Sequence, residues 1–182
     1  MMASGTVLDI LHTTPLDPKA RPLLDALLAE YDRRYGTFFD PRGASAELER
    51  YPAALFAPPD GAFLLLLRDG ETVGGGAFMR HDESTAELKR VWVREDLRRQ
   101  GLARRILTVL EVQAARQGYS RLYLTTGFRQ PEAAGLYLSS GYRALFDLEV
   151  DPEVHRKLPF EKPIGQPYPR RMAEACCPRQ AH

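Results

Sequence analysis

The chain has 182 residues, enough for one domain with a self-sufficient core, and its 44% apolar and 27% charged residues are the balance of an ordinary globular protein. A formal net charge of +1 excludes polyanion binding by bulk electrostatics, so any anion site has to be local. The longest apolar run, Ala62 to Leu67, is far too short to span a membrane, Met1 to Thr6 lacks the pattern of a secretion signal, and the only two cysteines, Cys176 and Cys177, are adjacent and frame no disulfide network, so a cytoplasmic location without membrane contact is expected.

In chain order, Val7 to His12 alternates like a first strand. Asp17-Pro18 reads as a cap and first helical residue, opening a helix whose stripe is Leu23, Leu24, Leu27, Leu28 and Tyr31 and which stops at Gly36. Ser45 to Leu48 suggests a short helix limited by Pro52, and Pro58 to Gly61 is a loop. Ala62 to Arg68 and Thr72 to Arg80 form a hairpin about Asp69-Gly70, and Ala86 to Val93 is the next strand. Leu102, Ile106, Val109 and Leu110 mark a helix over Gly101 to Gln117, followed by a buried strand at Leu122 to Thr125. Pro131 opens another helix that Gly141 closes. Tyr142 to Val150 and Leu158 to Lys162 read as the last strands. This order predicts an α+β (mixed α/β) class: one domain over residues 1–164 with a six- to seven-stranded mixed sheet and helices on both faces, then a loose tail over 165–182. The unit from Ala86 through Leu124 should be a right-handed parallel crossover.

The stretch that carries chemistry joins the strand ending at Val93 to the helix beginning at Gly101 through a basic loop. A helix N-terminus has unpaired N–H groups and partial positive charge, and Gly101 lets a ligand reach the backbone. Arg98, Arg99, Arg104 and Arg105 surround that point. Arginines crowded against the positive end of a helix make more sense with an anion present, so a phosphate or pyrophosphate is expected, beside a reading of the loop as a solvated basic surface.

The segment Arg98-Arg99-Gln100-Gly101-Leu102-Ala103 resembles the Arg/Gln-x-x-Gly-x-Gly/Ala signature of the GNAT superfamily of N-acetyltransferases. Ala86 to Val93 is similar to that family's fourth strand and Leu122 to Thr125 to its fifth. Gln130 to Tyr137, ending in Gly141-Tyr142, is similar to its second cofactor motif, so the match spans about 60 residues in order. The resemblance implies acetyl-coenzyme A as cosubstrate and no metal. It implies fourth and fifth strands that are parallel and splayed, often with a bulge in the fourth. The cofactor contacts it implies are Trp92, Val93, Arg98, Arg99, Gln100, Gly101, Leu102, Ala103 and Arg104. Where the family often carries an Asn, this chain offers Thr126 or Gln130.

Tyr137 matches the family's common general acid, beside a reading as a core tyrosine. Glu87 stands where some members place a base acting through water, beside a reading as a strand carboxylate paired with Lys89 or Arg90, and Arg90 could equally contact an acidic acceptor. Tyr35, Phe38, Phe39, Tyr51 and Phe56 either shape an acceptor pocket or belong to the core. Gly74-Gly75-Gly76 lacks the spacing of a phosphate loop and reads as close strand packing. The four histidines lack metal spacing, and the basic loop lacks the aromatics of a nucleic-acid binder. The expected activity is acetylation of a small primary amine or amino acid. The alternatives are a protein N-terminus or lysine as acceptor, or a non-catalytic acyl-coenzyme A sensor. A homodimer is compatible with the family and undecided by the residues.

Overall fold

The structure, a computed structural model, describes residues 5–165, so the two cysteines and nearly all of the expected tail lie outside the described residues. Seven strands form one mixed sheet in the order β1-β2-β3-β4-β5-β7-β6. Strands β1 (Leu8–His12), β2 (Ala62–Arg68), β3 (Glu71–Arg80) and β4 (Thr85–Val93) are successive antiparallel neighbours. β5 (Arg121–Gly127) runs parallel to β4, and β7 (Lys157–Pro163) separates it from the edge strand β6 (Arg143–Ala144). The helices are α1 (Arg21–Tyr35), α2 (Ala44–Glu49), α3 (Leu102–Arg116), α4 (Pro131–Ser139) and the single-turn α5 (Pro152–His155).

Local chemistry sets these boundaries. Asp69 and Gly70 both have positive φ (50° and 84°), the geometry of a hairpin turn whose twist matches its strands. Asp17 accepts from the Lys19 N–H and Gly36 ends α1 at φ 50°. β2 is apolar from Ala62 to Leu67 and covered on both sides. Leu64 and Leu66 join Ile106, Leu107 and Leu110 of α3 in the larger core, while Phe63, Leu65 and Leu67 join Leu23 of α1 and Trp92 in the smaller one. The three adjacent glycines of β3 admit these helices: a Cβ on Gly76 would lie 2.8 Å from Leu110, and one on Gly75 2.7 Å from Leu23.

One expected element is corrected. The strand expected over Tyr142 to Val150 is reduced to Arg143–Ala144. Asp147 ends it: its carboxylate accepts from the Glu149 N–H and its carbonyl from the Val150 N–H, offering the backbone a turn in place of a ladder. Asp151 and Pro152 then start α5.

Two features of β4 place the site. Its parallel pairing with β5 covers only Thr85 to Glu87 against Arg121 to Tyr123, after which the strands diverge. Its pairing with β3 slips between Gly75 and Ala77, and opposite that slip Arg90 takes φ 57°, a bulge. The sheet therefore opens as a wedge toward the C-terminal ends of β4 and β5.

Candidate active site

At the mouth of the wedge, a short 3-10 turn (Glu95–Leu97) leads from β4 into the basic loop. Arg99 (φ 63°) and Gly101 (φ 78°) are both left-handed, and Gly101 is the N-cap of α3 without a side chain to bond the helix end. Among the described residues, the N–H groups of Arg99, Gln100, Gly101, Leu102, Ala103 and Arg104 meet no protein acceptor. Arg99, Gln100, Gly101 and Arg104 are exposed, Leu102 and Ala103 half-buried, and the space where a Gly101 side chain would stand is open. Such a row of main-chain donors with the helix dipole behind it is a geometry that suits an anion.

The arginines divide by role. Arg98 folds inward, donating from Nε to the Val93 carbonyl (3.2 Å) and from Nη2 to Glu30 of α1 (3.2 Å), so it fixes the loop. Arg104 reaches Ser139 at the end of α4 (3.1 Å). Arg99 remains extended into solvent at the rim of that row.

Inside the wedge a cleft of about 210 Å³ runs between Leu88–Val91 of β4 and Leu124–Gly127 of β5, with Tyr137 and Ala133 of α4 on one side and α1, α2 and Tyr51 on the other. Tyr137 is 8% exposed and packs on Tyr142 and Phe160. Its hydroxyl has no protein partner among the described residues, and burial pushes its ionisation well above the ordinary tyrosine range. Trp92 and Val93 lie beyond the lining with their side chains in the two cores, so they offer a ligand backbone only.

Thr126 and Gln130 act together. The Oε1 of Gln130 receives the Thr126 hydroxyl (3.2 Å), the Gly127 N–H (3.3 Å) and the Tyr35 hydroxyl (3.3 Å). Because a backbone N–H can only donate, that atom must be the carbonyl oxygen, which leaves the Gln130 amide NH₂ as a donor beside the cleft. Gly127 is required here: a Cβ would stand 1.9 Å from the Tyr35 hydroxyl.

Glu87 is not among the cleft-lining residues. Its carboxylate pairs with Lys89 Nζ (3.0 Å) and meets His81 Nδ1 (3.3 Å). Lys89 does line the cleft, bonding the Tyr51 hydroxyl (3.2 Å). Burial works against its ammonium, but Glu87 and Tyr51 more than offset this and hold it above the usual lysine range. Of the aromatic residues singled out in the sequence, Phe39 and Tyr51 line the cleft, Tyr35 is buried behind it, Phe38 is exposed and Phe56 is core. Tyr31, noted in the sequence only as part of the α1 stripe, is also in the wall, and burial pushes it up to about 12. Sequence reading also missed Lys89 and Lys157 as wall residues. Their charge carries no spacing signal, and only the β4 bulge and the β5–β7 pairing bring them inward.

Among the described residues no group of three or more His, Cys, Asp or Glu side chains assembles that could hold a metal, and no helix is long and apolar enough to cross a membrane. The sequence profile described as the acetyltransferase (GNAT) family matches residues 24–142. The chain is 34% identical over 125 residues to an IAA acetyltransferase of Azospirillum brasilense, covering 66% of this chain and 79% of that one. An acetyltransferase of the GNAT family from Staphylococcus aureus superposes with TM-score 0.67 at 16% identity, covering 87% of this chain and all of that one, 100%. A GNAT family acetyltransferase from Elizabethkingia anophelis with acetyl-CoA bound superposes with TM-score 0.60 at 17% identity, over 86% of this chain and 97% of that one.

Proposed function

The chain belongs to the GNAT acetyltransferase family, and on that premise we propose that it transfers the acetyl group of acetyl-CoA to the primary amine of a small molecule or amino acid by direct attack in a ternary complex. One observation carries this reading. The unsatisfied hydroxyl of Tyr137 lines the same wedge whose mouth holds the row of free N–H groups from Arg99 to Arg104.

The residues fit the cosubstrate. The main-chain cradle at Arg99 to Arg104 would hold the pyrophosphate, with Arg99 and Arg104 adding charge at its rim. The diverging backbone of β4 and the Gln130 amide would hold the pantetheine arm. Bound acetyl-CoA supplies a thioester already activated toward an amine.

The protein's part is then positioning and one hydrogen bond. An ammonium of pKa ~10 leaves about one molecule in a thousand neutral at pH 7, a cost of about 4 kcal/mol. Orienting two reactants supplies roughly 7–11 kcal/mol, more than offsetting it. Tyr137 donates a hydrogen bond to the departing sulfur. Full transfer to a thiolate of pKa ~8.5 from an ordinary tyrosine of ~10 is uphill by about 2 kcal/mol, and burial of Tyr137 raises that step further. Its role is therefore donation to the developing charge. Glu87 is assigned to holding Lys89 in the wall, since its carboxylate pairs with that ammonium. A thiol-release assay over a panel of primary amines tests the reading. Release with at least one amine supports it, whereas acetyl-CoA binding with no release across the panel leaves only a non-catalytic binder.

A further inference from the structure

We propose that Arg90 binds a carboxylate of the acceptor, so that the amine acetylated by this protein is an amino-carboxylic acid. The inference rests on the transferase reading for which side of the wedge takes the acceptor: α1, α2 and Tyr51, opposite Tyr137.

Arg90 occupies the β4 bulge, where its left-handed backbone takes it out of the strand's alternation and into the cleft wall. Its guanidinium lies 4.7 Å over the Phe56 ring. Nη2 donates to the Leu48 carbonyl (3.2 Å) and the Tyr51 carbonyl (3.4 Å). These are dipoles, not charges. Among the described residues no carboxylate lies within ion-pair distance of Arg90, Glu47 acting on it only from farther off, and Nε and Nη1 have no protein acceptor.

Every other charge in the wall except one is matched within the protein. Glu30 holds Arg34 and Arg98, Glu47 holds Arg50, and Glu87 holds Lys89. The exception is Lys157, which sits 5.8 Å over Phe39 with no carboxylate within ion-pair distance among the described residues. Both unmatched charges are therefore cations on one cleft. A half-buried guanidinium whose nearest carboxylate lies beyond ion-pair distance gains from an anion that a ligand brings. Nη2, spent on the Leu48 and Tyr51 carbonyls, belongs to both planar forks of a guanidinium, so Arg90 keeps the separate N–H donors of Nε and Nη1, and Nη1 can give a carboxylate a charge-assisted bond. Tyr31, Phe39 and Tyr51 beside it suit an apolar or aromatic side chain on the same molecule.

The test is calorimetry on the protein saturated with coenzyme A, titrated with the N-acetyl derivatives of phenylalanine, leucine and glycine, each as free acid and as amide. The expected result is that at least one acid binds roughly 10- to 100-fold tighter than its amide, as a charge-assisted hydrogen bond should give. In Arg90→Gln that gap closes while coenzyme A affinity holds. Arg90→Lys keeps part of the gap, and Lys157→Gln, at an exposed position, narrows it about two- to fivefold. Equal binding of acid and amide, binding of neither, or a gap that survives Arg90→Gln overturns the proposal. Should Arg90→Gln not fold, Arg90→Lys and Lys157→Gln decide, and a gap unchanged in both overturns it. Thiol release measured in parallel separates the two readings. A gap without release on the free amino acids sinks the transferase reading alone, and release from amines lacking a carboxylate, with no gap, sinks this one alone.

Discussion

The Nη2 of Arg98 lies 3.2 Å from Oε2 of Glu30, so the basic loop ahead of α3 is anchored to a helix that walls the cleft. Glu30 also holds Arg34, which in turn pairs with Glu132 at the start of α4. The basic loop, the cleft wall and the helix bearing Tyr137 thus share one ion-pair network. Arg98→Ala should loosen the loop without removing its N–H donors. We expect acetyl-CoA affinity to fall about three- to tenfold by calorimetry, the scale of a partly exposed pair worth ~1 kcal/mol. A loss of a thousandfold would instead make Arg98 a direct ligand.

Gly101→Asp should act far more severely. The residue has φ 78°, unfavourable for any side chain, and an added carboxylate would stand against the pyrophosphate. Binding of acetyl-CoA should be lost while far-ultraviolet circular dichroism stays native, because the position opens onto free space. Intact affinity would move the cofactor site elsewhere.

Tyr137→Phe should lower kcat by ~10²–10⁴ while leaving acetyl-CoA affinity within about twofold. The pH profile gives an independent check. Burial raises the folded-state ionisation of Tyr137, so it stays protonated as pH rises and the donor is lost only above the ordinary tyrosine value. The rate should therefore climb with amine deprotonation, with no falling limb assignable to Tyr137 below about pH 10. The same sign governs stability. Tyr137 and Tyr142 hold their protons more tightly when folded, so their contribution is full below about pH 10 and is lost as pH rises beyond it.

Gly127→Ala should drive a methyl into the Tyr35 hydroxyl and unpick the contacts gathered on Gln130. Overpacking of this kind costs about 1–3 kcal/mol, visible as a lower midpoint in urea. Acetyl-CoA affinity should fall with it, because the Gln130 amide loses its orientation. A variant as stable as the parent would mean that the chain yields there easily.

What was legible in the sequence was local. Asp69-Gly70, the stripe at Leu102, Ile106, Val109 and Leu110, and Gly101 each carry their geometry within a few residues, so the hairpin, α3 and the start of α3 at Gly101 could be read directly. Asp147 was local too, but its turn competed with an apolar alternation that reads as a strand. The partners of the site residues were not legible, because they come from far along the chain. Arg98 meets Glu30 across 68 positions, and Gln130 meets Tyr35 across 95. Arg90 was visible as a charge, but only the bulge, a property of β3 and β4 paired together, turns it into the cleft wall.

A crystal structure of the protein with acetyl-CoA would locate both ends of the cosubstrate at once. Phosphate oxygens should lie about 3 Å from the N–H groups between Arg99 and Arg104, and the thioester sulfur within hydrogen-bond reach of the Tyr137 hydroxyl. Phosphates seated away from that turn, or a sulfur remote from Tyr137, would contradict the proposed function.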